Sequence, residues 1–409
     1  MRKADFYRDV RGDLPGPLKG IRVLEATTSW AGPMCGCVLA DLGADVIKVE
    51  ALDGEVARKL PPYITGDEGR VSFMHATVNR NKRSLTLDLR RHEGRDIFLG
   101  LAARSDVIVQ NFRPGTFDKW GIGYEACRAV KPDIVYVSIS GFGQFGSEHD
   151  RAGYDPIAEA ESGFMSLNGA PDGAPTRCAT YLCDDLAGLH GAVSALAALR
   201  HRDATGEGQH IDVALLDSVL FQSNGMLTLG AIGLPLPRLG NGSMLSAPVD
   251  VYDCSDGQIF LGVLLDSHWR TFARLMGRPE LADDPRFATA TARLRNKREC
   301  DRVTAQWAGA RTVAEVVAEC NRAGIPVGPV RSYAEAARHP HVREREMLQP
   351  IEQEDGRVAP ITGPAAKFSR TPTRVRTRAP KLGEHNREIL EELGFDEAAR
   401  QRLRAMKIV

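Results

Sequence analysis

Hydrophobic positions in the first third of the chain alternate between short continuous runs and longer stretches with helical spacing. The runs "IRVLE" (21–25) and "ADVIKVE" (44–50) predict two buried strands, and "AGPMCGCVLADLG" (31–43) predicts the helix between them. The alternation continues in "EGRDIFLGLAARS", "DVIVQNF", "YEACRAVKP" and "DIVYVSIS", which predict helix, strand, helix and strand. Repeated strand–helix–strand units give parallel strand pairs with right-handed crossovers. The pattern therefore predicts an α/β fold with a doubly wound, Rossmann-like sheet in a large domain.

The pattern changes after about residue 221. A loop rich in Gly and Pro, "GLPLPRLGNGSMLSAP", precedes the strand "QIFLGVL", and helices with basic faces follow over residues 267–323. The stretch "GIPVGPV" then predicts a tight return. We therefore predict a large domain that begins with residues 1–220, a smaller inserted α+β domain in residues 221–330, and a return to the large domain in residues 331–409.

Charge and composition exclude several classes of partner. Lys plus Arg number 53 and Asp plus Glu number 53, so the formal net charge is +0. Neither nucleic acid nor a membrane is therefore expected as a partner. The sequence has no apolar run of transmembrane length and no signal-peptide pattern, and its eight Cys include no CxxC pair. These features predict a cytoplasmic protein with reduced thiols.

Common cofactor and nucleophile motifs are absent from the sequence. It contains no GxxxxGK[ST] phosphate loop, no HExxH metal motif and no GxSxG nucleophile elbow. Cys35 and Cys37 are spaced closely enough to bind a soft metal, but they lie inside an apolar helical pattern without further ligands nearby. We interpret them as buried small side chains. We therefore expect no permanently bound cofactor and no metal.

Two carboxylates stand at the head of a segment that otherwise favours burial. In "YLCDDLAGLHGAVSALAAL" (181–199), Asp184 and Asp185 precede apolar residues at helical spacing, with many small residues between them. One interpretation is helix capping, for which a single Asp is enough. The other is a nucleophilic carboxylate, kept ionised at neutral pH by the helix N-terminus and able to attack an activated acyl or phosphoryl group. The residues alone leave both interpretations open.

Several stretches, in order and over nearly the whole chain, resemble the class III CoA-transferases (the CaiB/BaiF family), which include formyl-CoA transferase and the related α-methylacyl-CoA racemases. The stretches are "PLKGIRVLE", "AGPMCGCVLADLGADVIKVE", "NRNKRSLTLDLRRHEGR", "VIVQNFRPGTFDKWGIGYE", "DIVYVSISGFGQFG", "GYDPIAEAESGFMSLNG", "TGEGQHIDVALLDSV", "GIPVGPV" and "APKLGEH". The resemblance implies an enzyme that moves CoA from a donor acyl-CoA to a free carboxylic acid, with the CoA thioester as substrate. It also implies an interlocked dimer, in which each chain threads through its partner.

The resemblance assigns roles to particular residues. The family's nucleophile is an Asp four residues before a helix Gly, which implies Asp184 here because Gly188 follows at that spacing. That Asp would form a mixed anhydride with the acyl group and then an aspartyl-CoA thioester, and Asp185 would cap the helix or support the nucleophile. The residues implied in CoA binding are Leu87, Arg90, Asn111, Phe112 and Lys119, and those implied beside the nucleophile are Trp30, Tyr154, Asp155 and the loop residues Gly240, Asn241 and Gly242.

The chain departs from parts of the family pattern. Tyr154 stands where the racemases carry His, and a neutral phenol is a poor base at neutral pH. Trp30 and Ala51 stand where formyl-CoA transferase carries Gln and Arg. We therefore expect a CoA-transferase acting between two carboxylic acids, with succinyl-CoA or a similar thioester as donor, and a homodimer. Two alternatives stay open: a 2-methylacyl-CoA racemase or isomerase, and a non-catalytic CoA-binding subunit of a heteromer formed with a related chain.

Overall fold

The computed structural model describes residues 1–64 and 71–409, and the chain divides into two compact units. The first unit comprises Met1–Phe164, Cys178–Thr228 and His341–Val409, and the second comprises Met165–Arg177 and Leu229–Pro340. The insertion predicted at residues 221–330 overlaps the second unit, which also takes in residues 165–177.

A mixed α/β architecture with a central parallel sheet is confirmed in the first unit. The strands of this sheet are β1 (Arg22–Ala26), β2 (Asp45–Glu50), β3 (Lys82–Thr86), β4 (Val107–Gln110), β5 (Val135–Ser140) and β6 (Gln209–Ala214). They lie in the order β3-β2-β1-β4-β5-β6, and every neighbouring pair is parallel. This is the order of a doubly wound sheet, whose direction of winding reverses between β1 and β4. Such sheets bind ligands beyond the carboxyl ends of the strands around that reversal.

The remaining elements complete both units. The other strands are β7 (Val249–Cys254), β8 (Gly257–Gly262), β9 (Val327–Pro329), β10 (Leu348–Glu352) and β11 (Val358–Thr362). The α-helices are α1 (Lys3–Phe6), α2 (Ala31–Asp41), α3 (Phe73–Val78), α4 (His92–Ala102), α5 (Thr116–Lys119), α6 (Tyr124–Val130), α7 (Asp155–Glu161), α8 (Phe164–Leu167), α9 (Leu182–Thr205), α10 (Leu215–Phe221), α11 (Met226–Ala231), α12 (Asp266–Leu275), α13 (Ala290–Arg295), α14 (Lys297–Gly309), α15 (Val313–Arg322), α16 (Tyr333–Arg338), α17 (Pro340–Glu344), α18 (Asn386–Glu392) and α19 (Glu397–Ala405). Short 3-10 helices span Val56–Lys59 and Pro279–Ala282.

Side chains alternate between the two faces of the central sheet, and helices cover both faces. Val23 and Val46 pack with α2 and α9 on one face, whereas Leu24 and Ile47 pack with α4 and α18 on the other. Strands of a parallel sheet that is covered on both faces are apolar on both sides. This explains why these strands appear in the sequence as continuous apolar runs.

The small residues of α9 allow α2 to approach it closely. A Cβ atom placed on Gly188 would lie 2.8 Å from Cβ of Met34 and 2.9 Å from the carbonyl oxygen of Ala31. A Cβ on Gly191 would lie 3.1 Å from Sγ of Cys35. Since real side chains do not tolerate the shorter of these distances, Gly188 sets how near the two helices can lie. The close packing brings the N-terminal ends of α2 and α9 side by side.

By length and composition alone, α9 could cross a membrane, although the sequence analysis predicts no transmembrane segment. It has 24 residues and a window of mean hydropathy 1.3, and among the described residues it is the one helix that meets this criterion. Core helices of soluble proteins meet it as well. The packing of α9 against α2, β5 and β6 identifies it as a core helix of the first unit.

The second unit has a hydrophobic core of its own. Strands β7, β8 and β9 form an antiparallel sheet. Trp269 and Phe272 of α12 and Trp307 of α14 pack with Ile259 and Leu261 of that sheet in one buried cluster. In the first unit, β10 and β11 form a separate antiparallel hairpin.

Candidate active site

Loops at the carboxyl ends of β1, β4 and β5 surround a cavity of about 240 Å³. We call it the nucleophile cavity, after the nucleophile that the resemblance predicts at Asp184. Asp184 lines it from the first turn of α9, and Trp30, Asn111 and Tyr154 line it from the loops that follow the three strands. The position agrees with the general location of ligand sites on doubly wound sheets. The structure therefore brings together four residues that lie far apart in the sequence.

The N-terminus of α9 is capped from a distance by Asp155. Its Oδ1 accepts the backbone N–H groups of Cys183 at 2.6 Å and of Asp184 at 3.2 Å. Asp155 is 1% exposed and begins α7, directly after Tyr154. The capping role considered for Asp185 is thus performed by Asp155. Two backbone bonds to one buried carboxylate fix the position of the Asp184 backbone.

Asp185 makes a different contact, with the indole ring of Trp30. The indole Nε1 donates a hydrogen bond to Oδ1 of Asp185 at 2.6 Å. Trp30 is 9% exposed, and its ring packs against Tyr181 with centroids 5.1 Å apart and against Phe73 with centroids 6.3 Å apart. Since one bonding partner is a carboxylate, this is the stronger, charge-assisted kind of hydrogen bond.

The electrostatic surroundings of Asp184 disfavour its charge. Burial, with the carboxylates of Asp155 and Asp185 nearby, raises the pKa of Asp184 to about 7. Burial also raises the pKa of Asp185, and the indole hydrogen bond from Trp30 opposes that rise. In the described part of the chain, no donor is hydrogen bonded to the Asp184 carboxylate. The helix N-terminus, expected to keep Asp184 ionised at neutral pH, is therefore opposed by desolvation and like charges, which outweigh the helix dipole.

A second cavity of about 490 Å³, which we call the outer cavity, adjoins the first. Thr28 and Phe112 line both cavities, and Leu87 and Arg90 line the outer one. Leu87 is 1% exposed, whereas Arg90 is largely exposed and forms an ion pair of 2.9 Å with Asp88. Three of the five residues implied in CoA binding therefore share one cavity next to the nucleophile cavity.

The loop after β4 is held by side-chain hydrogen bonds to backbone groups. Asn111 accepts the N–H of Thr28 at 2.9 Å and donates to its carbonyl oxygen at 2.8 Å, so its amide joins the loops after β1 and β4. Gln110 accepts the N–H of Phe112 at 2.8 Å and donates to Ser138 at 2.8 Å. Asn111 thus lines the nucleophile cavity, while Phe112 is oriented by a residue that the sequence analysis did not identify.

Two sets of predicted site residues lie elsewhere. Lys119 is exposed at the end of α5 and lines neither cavity. Gly240, Asn241 and Gly242 belong to the second unit, where the neighbouring Arg238 donates hydrogen bonds to three backbone carbonyl oxygens of residues 166–173. That this loop covers Asp184 stays a prediction.

Glu55 is a buried residue of the site that the sequence analysis missed. Its carboxylate accepts the backbone N–H of Ser29 at 2.9 Å and the hydroxyl of Thr28 at 3.2 Å. Ser29 has a φ of 68°, in the left-handed region that side-chain-bearing residues rarely adopt, so the loop before Trp30 is strained and needs such a support. Lys48, fully buried, lies 3.6 Å from Glu55 and compensates its charge. No local pattern marks Glu55, because it acts on residues 26 and 27 positions earlier.

Three other features bear on alternative chemistry. The stretch "GFGQFG" (141–146) follows β5 with the glycine spacing of a dinucleotide-binding loop, but the helix that this motif requires does not follow, since α7 begins only at Asp155. Burial raises the pKa of the Cys183 thiol, which disfavours it as a rival nucleophile to Asp184. Among residues 1–64 and 71–409, no group of three or more His, Cys, Asp or Glu side chains is arranged to hold a metal ion.

Comparisons of the sequence and of the structure with known proteins point to the same family. The sequence model of CoA-transferase family III matches residues 18–386. The chain is 38% identical over 395 residues to succinate–glutarate CoA-transferase of Agrobacterium fabrum, covering 93% of this chain and 97% of that protein. It is 36% identical over 401 residues to the beta subunit of succinyl-CoA–L-malate CoA-transferase of Chloroflexus aurantiacus, covering 96% and 98%. The crystal structure of a CAIB/BAIF family protein from Brucella suis superposes with a TM-score of 0.82 at 34% identity, covering 93% of this chain and 100% of that one.

Proposed function

This chain belongs to CoA-transferase family III, and from that premise we propose that it moves CoA from a donor acyl-CoA to a free carboxylic acid through covalent intermediates on Asp184. The observation that carries the proposal is the position of Asp184. Its carboxylate lines a small cavity that adjoins, through Thr28 and Phe112, a larger one bordered by Leu87 and Arg90. A carboxylate in one cavity and an adjoining cavity that can hold part of a CoA group suit an acyl-CoA whose thioester reaches inward.

The chemistry proceeds in four balanced steps. The Asp184 carboxylate attacks the thioester carbonyl, so that a C–O bond forms, the C–S bond breaks, and a mixed anhydride and CoA thiolate result. The thiolate attacks the Asp184 carbonyl and releases the donor acid, which leaves an aspartyl-CoA thioester. The acceptor carboxylate attacks that thioester and forms a second anhydride with release of thiolate. The thiolate then attacks the acceptor acyl carbon and regenerates the Asp184 carboxylate. One thioester replaces another, so no ATP is consumed.

The surroundings of Asp184 suit this chemistry in two respects. A carboxylate whose pKa is raised to about 7 is more basic than an ordinary Asp, yet it is largely ionised just above neutral pH. Ala31, the first residue of α2, also lines the nucleophile cavity, and first-turn N–H groups of a helix have no acceptor within the helix. We assign those groups to stabilising the oxyanion that forms when the carboxylate or thiolate attacks.

A dicarboxylic acceptor and succinyl-CoA, or a similar thioester, as donor fit the cavity best. Arg113 and Arg151 line the nucleophile cavity. The guanidinium of Arg151 is paired with Glu148 and Glu161, whereas within the described residues Arg113 forms no ion pair. Arg113 is therefore available for a second carboxylate of the acceptor acid. The names of the related transferases, with glutarate and malate, support the same class of acid.

For assembly we propose an interlocked homodimer in the cytoplasm. Pairing with a related chain is the alternative, supported by the relative that is named a beta subunit. The racemase alternative needs a base at Tyr154, and a phenol suits that role poorly.

Mass spectrometry of a mixed incubation in D2O tests the proposal. The purified protein meets succinyl-CoA, a 2-methylacyl-CoA and a panel of mono- and dicarboxylic acids, with Asp184→Ala as the inactive variant. Asp203→Asn is the matched control, since Asp203 is an exposed residue near the other end of α9. New acyl-CoA species in the wild type and in Asp203→Asn, and none in Asp184→Ala, are expected. Deuterium at the α-carbon without movement of CoA would instead establish the racemase.

A further inference from the structure

We propose that Asp185 is a positioning residue that sets acid specificity: it holds the indole of Trp30 as a fixed wall of the nucleophile cavity and so restricts the site to short acids. The inference rests on the proposed function, because it concerns the acid that Asp184 meets. It answers why the chain carries a second carboxylate beside its nucleophile.

Asp185 contacts the wall of the nucleophile cavity through Trp30. Asp184 and Trp30 line that cavity, whereas Asp185 does not. Successive residues of an α-helix point about 100° apart, so Asp184 and Asp185 face different directions from the same turn. The contact of Asp185 in this region is the 2.6 Å hydrogen bond from the indole Nε1. A second attacking carboxylate is therefore not the function of Asp185.

The contacts of Trp30 leave its ring little freedom. Tyr181 and Phe73 pack against it, Asp185 accepts its N–H group, and Glu55 holds the strained residue Ser29 directly before it. Breaking the bond to Asp185 would leave a desolvated indole N–H and a half-buried carboxylate without their partner, which is unfavourable for both. The bond therefore selects one orientation of the ring.

Because the nucleophile cavity is small, a fixed orientation of the Trp30 indole limits the length of the acid that can bind. The nucleophile cavity is about 240 Å³, below the roughly 300–1,000 Å³ of typical small-molecule sites. A fixed indole is the largest side chain on its wall. If the ring is released or trimmed, the cavity gains room for methylene groups of a longer acid, while Asp184 and its backbone support from Asp155 stay in place.

The test compares two straight-chain dicarboxylic acids, five-carbon glutarate and eight-carbon suberate, as acceptors with succinyl-CoA as donor. The measured quantity is the ratio of kcat/KM for suberate to that for glutarate. We expect Asp185→Ala and Trp30→Phe each to raise this ratio at least tenfold. Asp185→Asn keeps an oxygen acceptor for the indole and should stay within threefold of the wild type, as should the control Asp203→Asn. A role in folding alone would lower both kcat/KM values equally and leave the ratio unchanged.

An NMR measurement detects the hydrogen bond between Trp30 and Asp185 independently of activity. The chain has four Trp residues, so the indole ¹H–¹⁵N region of the labelled protein is simple, and Trp30→Phe assigns the Trp30 signal. We expect that signal to shift upfield and exchange faster in Asp185→Ala, and to stay near its wild-type position in Asp185→Asn. An unchanged signal and an unchanged acid ratio in folded Asp185→Ala would overturn the inference. If the wild type transfers CoA to no acid, the proposed function fails, and the NMR result alone decides whether Asp185 positions the ring.

Discussion

Replacing Asp184, the proposed nucleophile, should make the protein more stable, by an amount that depends on pH. The pKa of Asp184 is raised from 3.8 to about 7 in the folded protein. Below about pH 4 the carboxyl is protonated in both the folded and the unfolded chain, so it carries no penalty. As pH rises, the unfolded chain ionises first, and folded-state stability is lost until the folded pKa of about 7 is reached. Asp184→Asn removes this charge while keeping the shape of the side chain.

The gain in the free energy of unfolding follows from the difference between the unfolded and the folded pKa values of Asp184. A difference of about three units, at about 1.4 kcal/mol per unit, gives a ceiling of about 4 kcal/mol at pH 8. Asp184 is partly exposed, so solvent screening reduces our expectation to about 2 kcal/mol. At pH 5 the gain should fall to about two-fifths of its value at pH 8, because most of the folded-state penalty develops above pH 5.

Scanning calorimetry at pH 5 and pH 8 measures this effect. With an unfolding entropy of roughly 2 cal/mol/K per residue, about 2 kcal/mol raises the Tm of a chain of this length by about 2 °C at pH 8. Asp203→Asn on the exposed end of α9 should change Tm by less than half of that. An Asp184→Asn variant that is less stable than the wild type at pH 8, or equally stabilised at both pH values, would contradict the raised pKa of Asp184.

Three further predictions follow from the same geometry. The logarithm of kcat/KM should rise with pH and level off near pH 7, since the proposed attack needs ionised Asp184. Asp155→Asn should move the rise to lower pH, because it removes a like charge while keeping a capping oxygen; a profile flat from pH 5 to 9 would contradict this. Gly188→Ala should destabilise the fold by about 1–3 kcal/mol, because its Cβ would lie 2.8 Å from Cβ of Met34 in α2. The loss is measured as a lower denaturation midpoint, and an unchanged midpoint would contradict the close packing of α2 and α9. Gln110→Ala should raise KM for the acyl-CoA about three- to tenfold in steady-state kinetics with little change in kcat, since the N–H of Phe112 loses its acceptor, and a purely kcat effect would argue against this positioning role.

The central sheet could be predicted from the sequence because its signal is local. The run "IRVLE" corresponds to β1 (Arg22–Ala26), and the helix predicted at 31–43 corresponds to α2 (Ala31–Asp41). Both depend on the spacing of apolar residues within a single segment, and strands covered on both faces carry a strong version of that signal. Residues 165–177 belong to the second unit because of tertiary contacts, and no pattern within those residues predicts this.

The contacts of the site could not be predicted, because their partners are distant in sequence. Asp155 lies 28 residues before Cys183, and Trp30 lies 155 residues before Asp185. The family resemblance selected Asp184 and the cavity neighbours Trp30 and Tyr154, but it could not supply the direction of a hydrogen bond. From the helix start alone we expected Asp184 to be kept ionised, whereas burial raises its pKa to about 7. A helix N-terminus can be inferred from the sequence, but the desolvation of Asp184 depends on the surrounding fold.

A covalent relay through Asp184 can be followed directly with labelled oxygen atoms. The enzyme turns over with succinyl-CoA and an acceptor acid whose carboxylate carries oxygen-18. The tryptic peptide of residues 178–200, bounded by Arg177 and Arg200, is then sequenced by tandem mass spectrometry. The relay predicts oxygen-18 in the side chain of Asp184 and none in Asp185, because each turnover leaves one acceptor oxygen on the nucleophile. Labelled succinate with an unlabelled Asp184 would mean that the two acids form an anhydride directly, and it would contradict the account.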